Sequence, residues 1–432
     1  MRPSSTRSGP QFTTQSVKVR SNLATISESS SLPAQIIEMI KSCKNKIDPK
    51  SPTAAQERTA KKELLEKVLS NMRDIVQLDA IVLGELFEMV CLIILRQIDV
   101  SDIYLYSDSK ISIVATNWEI VNVAHQILAV FIENVNQSIS YQLMGKDFIY
   151  SLVDLLKSPD PNERFTVDGQ LMRLFDVLPK YRQIIINAYQ RQFELYYYDY
   201  KNYFAINTCL NFFFKYFQTI NQPLLYTDFF KRLIFPLFST PFVSEFYTVL
   251  NQISSFFESR NPEIADFCFK YLMDHWPITD SNKQAAYLGH MIHLSANLQI
   301  TNIPKIIPKL FSKISNCLSS ENFKVTSAAL MLCSDQSFLF IFGPFADKFL
   351  PLIMPSIEKA SRHWNPDVAA VCNDTVKILY NMNSSLMKKI VSDQNFVKKF
   401  EEEEAKNEKI KEEIWRIIKS SAEARYPPGG FI

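Results

Sequence analysis

Glycine is nearly missing from this chain. Its 432 residues hold only 8, where an average composition would supply roughly thirty. A β-rich or α/β protein of this length draws on glycine for hairpin turns and phosphate-binding loops, so both classes are excluded. Neither a glycine-rich phosphate loop nor a G-x-S-x-G nucleophile turn occurs. The carboxylates form no catalytic pair, and the scattered Ser, His, Asp and Cys residues assemble into no nucleophile set. The chain therefore does not read as an enzyme, and no cofactor is expected. Excess charge is lacking too. With 47 Lys and Arg against 45 Asp and Glu, the net charge is +2, too little to draw the chain to nucleic acid or to a membrane surface. The best apolar runs, 89–95 and 338–346, fall far short of the roughly 20 residues that a membrane span needs. Seven cysteines occur without any C-x-x-C spacing. Most sit in apolar helical stretches and read as free, buried thiols in a reducing compartment.

What is present is helical. Apolar residues make up 47% of the chain and charged ones 21%, ample material for a core. From residue 33 onward the apolar positions keep helical spacing, as in Leu64, Leu65, Val68 and Leu69. Most breaks between these segments hold Pro, Asn, Asp or Ser. At one such break Asp160 suits an N-cap, Pro161 the first helical position, and Glu163 the position that reaches back to the cap. Gly343-Pro344 breaks the run after Phe342, and Pro277 ends the helix carrying His275 and Trp276. Helices joined by short loops, with no strand pattern, predict an all-α fold: an α-solenoid of HEAT-like (armadillo-type) helical repeats around one continuous core.

This divides the chain into a disordered Ser-rich tail over 1–32, the solenoid over 33–397, a charged helix over 398–422 and a flexible tail over 423–432. The first 32 residues hold nine Ser, four basic residues and one acid, a composition that cannot bury enough apolar surface to fold. The charged helix runs from the acids Glu401 to Glu404 toward Lys406, Lys409 and Lys411, which suits the helix dipole. Trp415, Ile417 and Ile418 are expected to dock it back.

Three groups of side chains suggest binding chemistry. His290 and His293 stand at i, i+3, a spacing that metal sites use, but no third ligand lies near them in sequence. They read as a polar helix edge. The stretch 189–217 is dense in Phe and Tyr with only Arg191, Lys201 and Lys215 among them. That favours packing between helices over stacking of bases, with a partner groove as the exception. Arg173 and Arg182 read either as solvated surface or as anion-binding groups, because guanidinium grips carboxylate or phosphate bidentately.

Three patterns carry a resemblance. The first is Ser158-Pro159-Asp160-Pro161-Asn162-Glu163-Arg164. The second is Trp276-Pro277-Ile278-Thr279-Asp280-Ser281-Asn282-Lys283, preceded by His275. The third joins Pro355-Ser356 to His363-Trp364-Asn365. In this order and spacing they resemble the B-prime regulatory subunits of protein phosphatase 2A, over roughly residues 60–420. Trp118 and Trp415 also fall where that family carries tryptophan. The resemblance implies a non-catalytic subunit that joins the phosphatase scaffold and catalytic subunits and recruits phosphoprotein substrates for signal transduction. It also implies residence in the cytoplasm, with the nucleus as a second location. A generic α-solenoid adaptor or transport receptor, without a phosphatase partner, is the alternative.

The family's groove reads a Leu-x-x-Ile-x-Glu peptide. By resemblance, Arg173 and Arg182 hold the two arginine positions that meet acidic or phosphorylated residues. Phe175 replaces a pocket tyrosine, and Phe212 and Tyr216 replace aliphatic residues of the pocket floor. Met172, Leu225 and Asp228 stand where the family has histidine, lysine and histidine. After Phe323, Val325, Ala329 and Leu330, the stretch Met331 to Ser337 departs from the family's acidic and aromatic segment.

Overall fold

The structure, a computed structural model, describes residues 31–48, 52–98, 117–392 and 394–425. Every regular element among them is helical. The chain divides into two compact units, Met1–Cys209 and Leu210–Ile432. Of the serine-rich tail expected over 1–32 and the tail expected over 423–432, residues 1–30 and 426–432 lie outside the described residues, while 31–32 and 423–425 belong to helices.

The first unit holds α1 (Ser31–Cys43), α2 (Ala54–Ser70), α3 (Met72–Ile75), α4 (Ala80–Ile94), α5 (Trp118–Asn134), α6 (Gln137–Leu143), α7 (Lys146–Asp154), α8 (Pro161–Val177) and α9 (Arg182–Tyr198). The boundary between the units falls within α10 (Tyr203–Thr219). α5 is the centre of the first unit and packs on α2, α4 and α8. Its buried residues Val123, Ala124, Ile127, Leu128, Phe131 and Ile132 repeat at the helical period and cover more than one face. That breadth lets one helix serve three neighbours. α4 starts cleanly because Asp79 accepts hydrogen bonds from the Ile81 and Val82 N–H groups at 3.1 and 2.9 Å.

In the second unit, short α, 3₁₀ and π segments fill Pro223–Ser239, including α11 (Thr227–Phe229). Then follow α12 (Tyr247–Glu258), α13 (Pro262–Asp274), α14 (Ser281–Ser295), α15 (Ile303–Leu318), α16 (Phe323–Ser334), α17 (Gln336–Phe342), α18 (Ala346–Ser361), α19 (Pro366–Met382), α20 (Ser384–Ser392) and α21 (Gln394–Arg425). Nearby helices of this unit stack in steps along the chain: α12 on α14, α14 on α16, α15 on α18 and α16 on α19. Each pair therefore buries one face on the next, the packing rule of a HEAT-like array. Phe311 of α15 shows the density of the core. It stacks on Phe349 at 4.3 Å and meets Phe342 edge-on at 5.6 Å.

One expectation holds here and one fails. The 26-residue helical stretch Gln336–Ser361 contains an 18-residue window of mean hydropathy 1.5, long and apolar enough to cross a bilayer on length and composition alone. Gly343-Pro344 ends α17 after Phe342, as the sequence implies, and leads through a 3₁₀ turn over Gly343–Phe345 into α18. Phe342, Phe349, Leu350, Ile353 and Ile357 of this stretch are buried in the unit's core. The charged C-terminal helix does not dock through its apolar residues: Trp415 is 69% exposed, Ile417 59% and Ile418 49%. Every side chain described in this helix is exposed. Its dense charge accounts for this, since docking would strip water from lysines and glutamates that have few partners to replace it.

The aromatic stretch is mainly core, with Tyr189, Phe193, Tyr196, Phe213 and Phe217 buried. All seven cysteines are free, six of them buried and Cys91 half-buried. Burial pushes the Cys91 thiol up to about 12, which holds it as an unreactive thiol.

One buried histidine makes stability sensitive to acid. His125 of α5 is fully buried, and neither ring nitrogen meets a partner among the described residues. Burial, assisted by the nearby Arg96 charge, lowers its pKa from 6.5 to about 4. The unfolded chain therefore takes up this proton near pH 6.5 while the folded chain resists it. The contribution is complete above pH 6.5, fades as pH falls, and is lost by about pH 4. The predicted loss across that window is about 3 kcal/mol. Urea titrations between pH 7 and 4 should show a slope that His125→Phe removes; an unchanged slope would refute the assignment.

Candidate functional site

The first signature pattern is built around the start of α8. Asp160 accepts from the Asn162 N–H at 2.9 Å, and Pro161 occupies the first helical position. Glu163 does not return to the cap. It is fully buried and forks with Arg96, Oε1 to Nη1 at 2.5 Å and Oε2 to Nη2 at 2.6 Å. A buried carboxylate gains more from a bidentate guanidinium than from one backbone N–H, so the distant partner wins. Arg164 donates to the Ser158 carbonyl at 2.6 Å and lies over the Phe204 ring at 5.2 Å. The pattern thus locks α8 to the segment after α4.

The other two patterns lie in the second unit and also start helices. Asp280 caps α14 by accepting from the Lys283 N–H at 3.0 Å, and Asn365 caps α19 by accepting from the Asp367 N–H at 2.9 Å. Gln284 donates to the Pro277 and Ile278 carbonyls and holds that turn. His275 stacks on Tyr271 at 4.0 Å, and Lys313 lies over Trp276 at 5.4 Å. These turns run along one edge of the unit. Lys324 at the start of α16 reaches Asn282 at 3.1 Å, and Trp364 Nε1 donates to the Glu321 carbonyl at 2.9 Å. The edge presents apolar groups to solvent: Ile278 is 82% exposed and Trp364 66%. Ser356 packs inward, its hydroxyl 2.7 Å from that of Ser315.

The expected peptide-binding residues fall into two groups. In the first unit, Arg173 and Phe175 sit on α8 and Arg182 opens α9. Arg182 lies 5.4 Å over the Phe175 ring and donates through Nε to the Phe175 carbonyl at 2.8 Å, a contact that fixes the guanidinium plane. Arg173 is exposed, and its Nε pairs with Glu133 of α5 at 2.8 Å. Gly169, one turn earlier, leaves it room: a Cβ there would stand 3.4 Å from Arg173 Nη1. In the second unit, Phe212 and Tyr216 stack in parallel at 6.1 Å. Phe212 is buried, while Tyr216 is half-buried with its hydroxyl 2.9 Å from that of Tyr226. Phe212 is therefore core as much as surface. Leu225 is 77% exposed, and Asp335 of the divergent stretch caps α17 by accepting from the Phe338 N–H at 2.9 Å.

Residue-by-residue reading missed two partners. Glu133 stands 40 positions before Arg173, and Arg96 stands 67 before Glu163. No local pattern links either pair. The histidine reading also changes. His290 is not a polar edge but fully buried, with Nε2 2.8 Å from Glu258 Oε1 and Nδ1 against Asn251 Oδ1. His293 is exposed.

Truncating one side of the buried fork should be costly. Arg96→Ala leaves Glu163 charged and enclosed, and a loss of about 3 kcal/mol is expected, near the low end for such pairs because Arg96 is itself partly exposed. Glu163→Gln should cost less, since a neutral amide needs less compensation. Denaturant midpoints test both, and equal midpoints for Arg96→Ala and the native chain would remove the fork from its structural role.

Comparison with known proteins agrees with this geometry. The sequence model of the protein phosphatase 2A regulatory B subunit (B56 family) matches residues 22–422. The chain is 24% identical over 307 residues to the human serine/threonine-protein phosphatase 2A 56 kDa regulatory subunit alpha isoform, covering 70% of this chain and 63% of that one. It is 24% identical to the B' kappa isoform of the Arabidopsis thaliana phosphatase 2A 57 kDa regulatory subunit, over 71% of this chain and 61% of that one. It is 22% identical to the Caenorhabditis elegans phosphatase 2A regulatory subunit pptr-1, over 83% and 68%. The matched region thus spans less than two thirds of the first two relatives. Among solved structures, an engineered protein aligns over 84% of this chain and 86% of its own, with a TM-score of 0.35 and 12% identity, too loose a match to bear on the fold. With the family match running over nearly the whole length, the chain belongs to the B56 family of protein phosphatase 2A regulatory B subunits.

Proposed function

We propose that this chain is a non-catalytic regulatory subunit that joins a phosphatase 2A scaffold subunit and catalytic subunit and brings phosphoproteins to them, in the cytoplasm and nucleus. The observation that carries the reading is the edge of the second unit. Its signature residues are spent on starting helices, yet the same turns leave Ile278 and Trp364 exposed. Exposed aromatic and branched side chains on a rigid rim suit a protein partner. Such a subunit needs no chemistry of its own, because holding a substrate beside the active site raises its effective concentration.

Substrate choice is assigned to Arg173, Phe175 and Arg182 of the first unit as a reader of short acidic or phosphorylated motifs, and Phe212 and Tyr216 of the second unit are taken separately as candidate peptide contacts. Glu133 already pairs with Nε of Arg173, so a ligand carboxylate that takes that donor must displace it. That exchange gains little at Arg173, because exposed pairs contribute only about 0–1 kcal/mol. Arg182 is held by an aromatic ring and a carbonyl and keeps its charge for the ligand.

Reconstitution with a purified scaffold–catalytic dimer tests assembly. A complex of one copy of each chain is expected on size exclusion, and Ile278→Ser with Trp364→Ala should weaken it at least tenfold with helical content unchanged. If the native chain does not join the dimer, the adaptor reading replaces this one.

Calorimetry with a Leu-x-x-Ile-x-Glu peptide tests the reader. Arg173→Ala with Arg182→Ala should cost more than ~1 kcal/mol, most of it from the charge-assisted bond lost at Arg182. Glu133→Gln should tighten binding by freeing Arg173. Unchanged affinity in the arginine variant would end the assignment.

A further inference from the structure

A cleft of 310 Å³ opens in the second unit on α10, α12 and α14. None of its residues belongs to the signature patterns or to the five expected site residues. Its walls are Phe214 and Phe256, whose rings meet edge to face at 6.5 Å and 85°. Phe256 is braced from the side: the Arg260 guanidinium lies 3.4 Å over its ring and donates to its carbonyl at 2.7 Å.

The rim is polar and uncommitted. The side chains of Gln218, Gln252, Ser255 and His293 line the cleft, and none makes a hydrogen bond among the described residues. No acidic residue lines it. Asn251 is different, because it is held from beneath. Its Oδ1 lies against Nδ1 of the buried His290, whose Nε2 meets the fully buried Glu258 at 2.8 Å. Phe238 packs on the same imidazole at 4.7 Å. One end of the Asn251 amide is therefore fixed in the core, and the other is presented to the cleft in a set direction.

We infer that this cleft binds an uncharged segment of extended polypeptide, with one aromatic or branched apolar side chain packed against the joined rings of Phe214 and Phe256. A side-chain amide offers one acceptor and a donor pair, the same complement as a peptide unit. Gln218, Asn251 and Gln252 supply such amides from two helices, and His293 adds a further group from a third. Packed helices stand about 8–10 Å apart, close to the length of three extended residues at about 3.3 Å each. An extended strand crossing these helices thus meets a polar side chain roughly once per helix. The volume lies at the small end of ligand sites and suits one large side chain with its flanking peptide groups. Binding here does not depend on a phosphatase role, and its test needs no phosphatase.

The test is calorimetry on the full chain with the peptides acetyl-Ser-Gly-X-Gly-Ser-amide, where X is Phe, Leu, Ala or Asp. The Phe and Leu peptides are expected to bind at least tenfold more tightly than the Ala and Asp peptides. Gln218→Ala and Gln252→Ala lie at exposed positions and keep the fold, and each should weaken the Phe peptide at least fivefold. Asn251→Ala should do the same, but it also disturbs the His290 pair, so the two glutamine variants decide. No binding of any peptide, equal binding of all four, or equal binding by both glutamine variants and the native chain would overturn the inference.

Discussion

Every helix that begins inside a packed array leaves up to four backbone N–H groups without intrahelical partners, and this architecture rests on how that demand is met. Asp79, Asp160, Asn261, Asp280, Asn322, Asp335 and Asn365 each accept from the first turn of the helix they precede. Three of them, Asp160, Asp280 and Asn365, lie within the signature patterns. The pattern Asp160-Pro161 goes further, since proline adds a preset φ and has no N–H to satisfy. The helix ends explain why glycine is scarce. α4, α5, α6 and α9 stop at Leu95, Val135, Met144 and Asp199, each in extended backbone. A left-handed C-terminal residue, the usual reason for glycine there, is not needed at these ends.

The fold class was legible because it depends on local quantities. Helical spacing of apolar residues, proline at first turns and missing turn glycines are all properties of short windows. The cap at Asp160 was legible for the same reason. The destination of Glu163 was not, because the competing partner, Arg96, lies on a different segment and becomes available only after packing. His290 shows the same limit. Its spacing from His293 describes one helix face, whereas its burial is set by Phe238, Glu258 and Asn251 from elsewhere in the unit. At the C-terminus, apolar residues at helical spacing promised docking, yet Ile410, Ile414, Trp415, Ile417 and Ile418 are all exposed. Periodicity reports that a helix has an apolar face, not that a partner covers it.

The candidate site was legible in identity but not in occupancy. Arg173 and Arg182 look equivalent in sequence. In the structure one is balanced by a carboxylate, and the other is held against an aromatic ring and a carbonyl. Phe212 carries a second ambiguity. A residue buried to 4% exposure holds the helix in place as well as flooring a groove. Enlarging or shrinking it changes the core and the ligand surface together.

The Arg173–Glu133 pair has a consequence for how the surface responds to its medium. A ligand acid that replaces Glu133 leaves the number of ion pairs at Arg173 unchanged, whereas one that meets Arg182 adds a pair. Ionic strength weakens only the net gain in charge pairing. A two-arginine site guarded in this way has the salt sensitivity of a one-arginine site, and its selectivity holds more evenly between dilute buffer and the crowded ions of a cell.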